Sequence, residues 1–92
     1  MADETETPLT PQEEHYRSVA RTLVEPILGT PEALEFSSET TRSGVILKMN
    51  VHHEDAGRVI GKGGGTIRAL RAALDFAGQV QGHVVTVDLV EN

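Results

Sequence analysis

The run GRVIGKGGGTI, residues 57–67, constrains the fold of this chain more than any other stretch. It holds five of the nine glycines, three of them consecutive, and hydrophobic residues stand on both sides. Glycine lowers the stability of a helix or strand by about 0.5–1 kcal/mol relative to alanine. A cluster of glycines therefore predicts a loop that either turns tightly between packed elements or lies against another molecule.

Two nucleotide-binding motifs contain similar glycines, and the sequence argues against both. A phosphate-binding Walker A loop needs Ser or Thr after its Gly-Lys pair, but Gly63 follows Gly61-Lys62 here. A dinucleotide fingerprint starting at Gly61 or Gly63 would place Thr66 or Arg68 where its third glycine belongs. Both motifs also follow a strand, whereas this run lies between two predicted helices.

The distribution of charge separates an acidic tail from a basic centre. The net charge is −6, and residues 1–14 carry five acidic residues and no basic one, which leaves −1 for the rest. Residues 56–74 carry four basic residues and no acidic one. Residues 1–9 have no hydrophobic periodicity, so we expect a disordered acidic tail followed by one domain over residues 10–92.

Composition excludes several classes of protein. There is no cysteine, which excludes a disulfide scaffold and thiolate sites for metals or redox chemistry. Aromatic residues make up 3% of the chain, so the core is expected to be aliphatic. No apolar run approaches the roughly 18 residues of a membrane span, and the N-terminus is unlike a signal peptide. We therefore expect a cytoplasmic protein without a membrane partner.

Hydrophobic periodicity predicts the order helix, strand, strand, helix, glycine loop, helix, strand. Thr10, Pro11 and Glu13 form a helix start with a capping box, and Pro26 is expected to kink or end that helix. The first strand is short, around Leu34 and Phe36. The first helix is expected to present one apolar face, made by Tyr16, Val19, Ala20, Leu23, Val24 and Ile27.

The second half of the chain completes an α+β layer pair. Val45–Val51 alternates as a half-buried strand and forms a hairpin with the first strand. A helix over residues 65–78, ending at Gly78, then leads to a strand over 84–90. Because two helices connect the last two strands, we expect those strands to be parallel. The predicted fold is three helices on one face of a three-stranded mixed sheet.

The glycine run matches I-G-x-x-G-x-x-I over Ile60–Ile67, with a predicted helix on each side and strands outside them. That combination is the signature of a KH domain, and the element order is that of its type II arrangement. The clamp would be Gly61, Lys62, Gly63 and Gly64. Glycines would let a sugar-phosphate backbone approach, and the amides opening the next helix would face it.

Side chains around the clamp are expected to complete the site. Lys62 would add a cation at the loop tip, and Arg58 and Arg68 would add phosphate contacts. Ile60 and Ile67 would wall an apolar groove between the helices and the Val45–Val51 strand. Single-stranded bases would lie in that groove, with modest affinity because no aromatic side chain is available for stacking.

Residues 23–89 resemble the small bacterial single-KH proteins of the KhpA/YlqC-like family. The resemblance is carried by LVEPIL, TPEALEF, HHEDAGRVIGKGGGTIRALRAAL and HVVTVDLV. It implies an RNA-binding protein without catalytic activity, described in the family as an RNA chaperone. It also implies a larger KH-containing partner of the KhpB (Jag) type and a link to cell elongation and the envelope. No cofactor, metal or small-molecule substrate is implied.

Other interpretations of the same residues stay open. The glycines could form only a tight turn, and the chain could be a protein-interaction subunit that dimerises with little RNA affinity of its own. Arg42 and Arg71 are expected to be ordinary surface charges. His52 and His53 are expected to serve at a strand end or as a helix cap, because neighbouring strand residues point to opposite faces. Glu54 and Asp55 are expected to complement a helix start.

Overall fold

The computed structural model describes residues 10–91, so the predicted tail, residues 1–9, lies outside the described residues. The helices are α1 (Pro11–Val24), α2 (Ala56–Ile60) and α3 (Gly65–Gln81), and the strands are β1 (Glu35–Thr40), β2 (Gly44–Val51) and β3 (Val84–Glu91). The predicted order is confirmed, and so is the α+β class of a type II KH domain. No helix within residues 10–91 is long and apolar enough to cross a membrane.

The start of α1 forms as the sequence predicts. The Thr10 hydroxyl accepts the Glu13 amide at 3.1 Å, and the Glu13 carboxylate accepts the Thr10 amide at 3.4 Å. Pro26 ends the helix, because Glu25–Ile27 continues only as a 3-10 turn. Four of the six residues of the predicted apolar face lie in or against the core, but Leu23 and Ile27 are exposed.

The sheet has the order β1-β2-β3, with β1 antiparallel and β3 parallel to β2. The mixed sheet is therefore confirmed, and β1 runs on to Thr40, beyond the short strand predicted around Leu34 and Phe36. The odd positions of β2 are buried against the helices: Val45, Leu47, Met49 and Val51. They join one aliphatic core cluster with Tyr16, Leu74 and Val87, among others.

The predicted end of α3 at Gly78 is wrong, because the helix continues to Gln81 and ends at Gly82. Gly82 has φ +79°, a left-handed conformation that glycine adopts without strain. Gly78 instead lies inside the helix where it touches the next strand. A Cβ at Gly78 would lie 2.7 Å from the His83 carbonyl oxygen and 2.9 Å from Val85 Cγ2. This glycine therefore sets the spacing between α3 and β3.

Candidate nucleic-acid interface

A buried carboxylate holds the segment that leads into the glycine loop. Asp55 has a side chain that is 1% exposed, and it accepts the amides of Gly29 and Thr30, both at 2.9 Å. Arg58 donates to the same carboxylate at 2.8 Å. These amides, and then the Arg58 guanidinium, hold the pKa of the Asp55 carboxyl below its usual value, against the opposing effect of burial.

This network changes the interpretation of two sequence predictions. Asp55 was expected only to complement a helix start, but its side chain caps no amide of α2 and ties the loop after α1 to α2 instead. Arg58 is held in the same network, so one of its nitrogens is already engaged. Its side chain is still more than half exposed, which leaves donors free to meet a phosphate.

The glycine loop adopts a backbone that favours glycine at three positions. Gly61, Gly63 and Gly64 have φ angles of +75°, +63° and +76°, so the turn over Lys62–Gly64 departs from regular 3-10 geometry at Gly63. A Cβ at Gly61 would collide with the Thr66 side chain, so that glycine is also required by packing. Gly63 has open space around it, which leaves the outer surface of the loop bare.

Positive charge surrounds the bare loop from two sides. Lys62 is exposed at the tip and makes no side-chain hydrogen bond or ion pair with any residue in 10–91. Arg68 reaches back from the first turns of α3 and donates to the Gly63 carbonyl oxygen at 2.7 Å. Arg68 therefore orders the loop as well as adding charge to it, a role that the spacing alone did not predict.

The first turn of α3 adds amide donors beside these cations. Within the described residues, no side chain caps the N-terminus of α3, which Gly64 precedes in a left-handed conformation. The first amides of a helix lack partners within it, and the helix dipole places partial positive charge there. The loop, its cations and this helix end together form a surface suited to an anionic backbone.

The two isoleucines of the motif occupy different environments. Ile60 is 43% exposed beside the loop, whereas Ile67 is 8% exposed and belongs to the core. β2 is the central strand and its inward side chains are buried in the core, so the predicted groove between the helices and β2 stays a prediction. An apolar cleft of about 190 Å³ near the loop lies between α1 and α3.

A second groove runs along the free edge of β3. It has a volume of about 340 Å³ and is lined by Arg71 and Asp75 of α3 and by residues 84–88 of β3. Arg71 donates through Nε to the Val87 carbonyl oxygen at 3.2 Å. Arg71, predicted to be an ordinary surface charge, is exposed but forms a hydrogen bond with the strand, and the sequence pattern gave no prediction for Asp75. The spacings of three residues from Arg68 to Arg71 and four from Arg71 to Asp75 were the available signal, but only the strand order shows that Arg71 and Asp75 border an edge.

Two other sequence predictions concern residues outside this surface. The His52 ring accepts the Glu54 amide at 3.1 Å, which confirms the capping role. The expectation that His52 and His53 diverge is wrong, because their rings stack with centroids 4.3 Å apart just beyond the strand. Arg42 lies in the turn before β2, at the opposite end of the sheet from the glycine loop.

Comparison with known proteins agrees with this geometry. The family described as KhpA/KhpB, KH domain matches residues 17–89. RNA-binding protein KhpA of Streptomyces coelicolor is 41% identical over 69 residues, which cover 75% of this chain and 84% of that protein. RNA-binding protein KhpA of Mycobacterium tuberculosis is 36% identical over 69 residues, 75% of this chain and 82% of that protein.

A third relative supports the same assignment. RNA-binding protein KhpA of Bacillus subtilis is 33% identical over 66 residues, which cover 72% of this chain and 82% of that protein. All three are named for RNA binding and none for a catalytic activity, in agreement with the prediction of a protein that is not an enzyme. The match over residues 17–89 includes the sheet, α2, the glycine loop and α3. The chain therefore belongs to the KhpA/KhpB family of KH-domain proteins.

Proposed function

We propose that this protein binds single-stranded RNA through a backbone clamp made by Gly61, Lys62, Gly63 and Gly64. The observation that carries the proposal is the conformation of the loop. Gly63 and Gly65 have open space around them, at the start of α3, whose N-terminus no side chain caps within residues 10–91, and Lys62 beside them is exposed. Membership in a family whose relatives are named RNA-binding proteins supports the same function.

The clamp would hold phosphates and the edge of β3 would receive bases. Phosphate contacts position a strand without reading its sequence. Arg68 would keep the loop ordered before RNA arrives, while the free donors of Arg58 would add a phosphate contact. Ile60, exposed beside the loop, would cover the sugar of a bound nucleotide, whereas Ile67 would support the loop from the core. With no aromatic side chain at the loop, affinity of one domain would be modest.

A second KH site would compensate for this modest affinity, because linking two weak sites raises their combined affinity. We propose that the partner is a KhpB-like KH protein or a second copy of this chain. Hydrophobic residues along one side of α3 support such a surface: Phe76 and Val80 are 69% and 67% exposed, Ala69 is exposed and Ala73 is half-buried. Action as an RNA chaperone in cell elongation and envelope regulation, in the cytoplasm, is what the family resemblance implies for such a pair.

The clamp is tested by fluorescence anisotropy of a labelled single-stranded RNA pool titrated with the protein. Lys62→Glu places a negative charge at the loop tip and should weaken binding at least tenfold. Lys48→Glu is the matched control, because it makes the same charge change on the sheet face opposite the helices. Circular dichroism and thermal melting check that both variants stay folded.

If Lys62→Glu and Lys48→Glu weaken RNA binding equally, the clamp proposal is wrong and only general electrostatic attraction accounts for binding. If the wild type alone binds no RNA, the protein-interaction alternative becomes the better account, and the titration is repeated with a KhpB-like protein present. The partner surface has its own test in light scattering after size-exclusion chromatography. Phe76→Asp should convert a dimer into a monomer, and a wild type that is monomeric would remove the proposal of a second copy.

A further inference from the structure

We propose that Arg71 and Asp75 select guanine at the base-binding position beside the clamp. This inference rests on the proposed function, because it names what the same RNA site reads. The first observation is the course of α3 away from the loop. Arg68, Arg71 and Asp75 are spaced three and four residues apart, so they follow one side of the helix. Arg71 lies six residues after Gly65, about 9 Å along the helix axis.

The opposite wall of this groove is an open strand edge. Among the strands of residues 10–91, β3 pairs with β2 alone, so one of its edges has no neighbouring strand there. The Arg71 hydrogen bond shows that the Val87 carbonyl points away from β2 and into the groove. The Val84 amide, in contrast, donates to Ser43 on the β2 side at 3.0 Å. Because these directions alternate along a strand, the backbone of Val85 also faces the groove.

The two side chains on α3 offer opposite hydrogen-bonding chemistry. A guanidinium carries five N–H donors, and the Nε of Arg71 uses one of them on Val87. The exposed Asp75 carboxylate makes no side-chain hydrogen bond or ion pair with any residue from 10 to 91. An i, i+4 pair of opposite charge commonly joins, but here Arg71 turns to the strand and leaves the carboxylate free. Arg71 and Asp75 together therefore offer four free donors beside one free carboxylate, and the Asp88 carboxylate of β3 lines the same groove.

Guanine is the base that matches both groups at once. Its Watson–Crick edge has two adjacent N–H donors, which a carboxylate can accept together. Its O6 and N7 acceptors are the groups to which arginine donates most often. Adenine and cytosine each offer a single amino group to a carboxylate, and uracil offers a single ring N–H. Single-stranded RNA exposes these edges, so the groove can read them without opening a duplex.

The experiment compares labelled RNA octamers by fluorescence anisotropy: U8, and alternating repeats of uridine with guanosine, adenosine or cytidine. We expect the guanosine repeat to bind about tenfold more tightly than the others, in line with one bidentate base contact. Asp75→Asn keeps the shape of the side chain but replaces one acceptor by donors. It should reduce the preference to about twofold or less. Glu14→Gln is the control, because it makes the same charge change on exposed α1 and should keep the full preference.

Arg71→Lys tests the other half of the pair, since lysine keeps the charge but not the planar set of donors. It should lose the preference while keeping affinity for U8. Binding of all four octamers within twofold, or a preference that survives in Asp75→Asn, would overturn the guanine inference and leave the clamp standing. Failure of every octamer to bind would instead overturn the proposed RNA function itself. A loss of folding in Arg71→Lys without any change of preference in Asp75→Asn would show that Arg71 only protects the strand edge.

Discussion

Replacement of Gly78 by alanine should destabilise the protein, although alanine is the better helix former. A glycine in a helix costs about 0.5–1 kcal/mol relative to alanine. At Gly78, however, the added Cβ would lie 2.7 Å from a backbone oxygen and 2.9 Å from Val85 Cγ2. Neither atom is the end of a flexible side chain. Overpacking of this kind costs about 1–3 kcal/mol, so the packing cost exceeds the gain in helix propensity.

Gly57→Ala provides the matched control for this prediction. Gly57 is also helical, but a Cβ there would meet no atom within 4 Å. The free energy of unfolding of that variant should equal that of the wild type or exceed it by up to about 1 kcal/mol. Because both variants share the gain in propensity, the difference between them measures the packing cost of about 1–3 kcal/mol. For a domain of this size, each kcal/mol corresponds to about 4–8 °C in melting temperature.

The assay is urea denaturation followed by circular dichroism, with the slope of the transition checked for equality between variants. If Gly78→Ala is as stable as Gly57→Ala, the close approach of α3 to β3 does not limit the fold and the reasoning fails. Because that approach sets the width of the groove at β3, a destabilised Gly78→Ala should also bind RNA more weakly.

Four further predictions follow from other parts of the chain. Asp55→Asn should lower the free energy of unfolding at pH 7, and its difference from the wild type should shrink below about pH 4. Because the pKa of Asp55 is lowered by folding, its ionised carboxylate stabilises the fold above the unfolded-state pKa. That stabilisation is lost as the pH falls through the folded-state pKa. An equal deficit in urea melts at pH 7 and pH 3 would argue against it. Thr10→Ala should lower the free energy of unfolding by about 1 kcal/mol because it removes the helix cap, whereas Thr10→Ser should not. Identical urea unfolding curves for the two variants would show that the cap does not stabilise the protein. Lys62→Gln should reduce the salt dependence of RNA affinity by about 0.7 in the slope of log K against log salt, and an unchanged slope would show that Lys62 meets no phosphate. Deletion of residues 1–9, if the acidic tail competes for the basic loop, should tighten RNA binding at low salt, and an unchanged affinity would exclude that competition.

Local signals in the sequence predicted most of the elements because their causes are local. Thr10 and Glu13 satisfy each other's backbone groups within one turn, so the start of α1 could be identified from their spacing. Alternation of apolar residues fixed which face of β2 is buried. The predicted end of α3 at Gly78 was wrong because a glycine is needed there for close packing against Val85, which lies after the next turn, and not to end the helix. A glycine required by packing and one required by backbone conformation look the same in a sequence.

The candidate site also has parts that depend on neighbouring residues and parts that depend on tertiary packing. The glycine loop, its flanking helices and the cation at its tip could be predicted from the sequence, because they depend on residues adjacent in the chain. The strand order, with β2 central and β3 at an edge, is visible only in the folded molecule, and so is the groove beside β3 in which we propose that bases bind. Only the structure showed Asp55 holding Gly29 and Thr30, and Arg71 reaching Val87. Such contacts join residues about 16 to 26 positions apart, and pairing at that distance is set by packing of whole elements, which local periodicity does not encode.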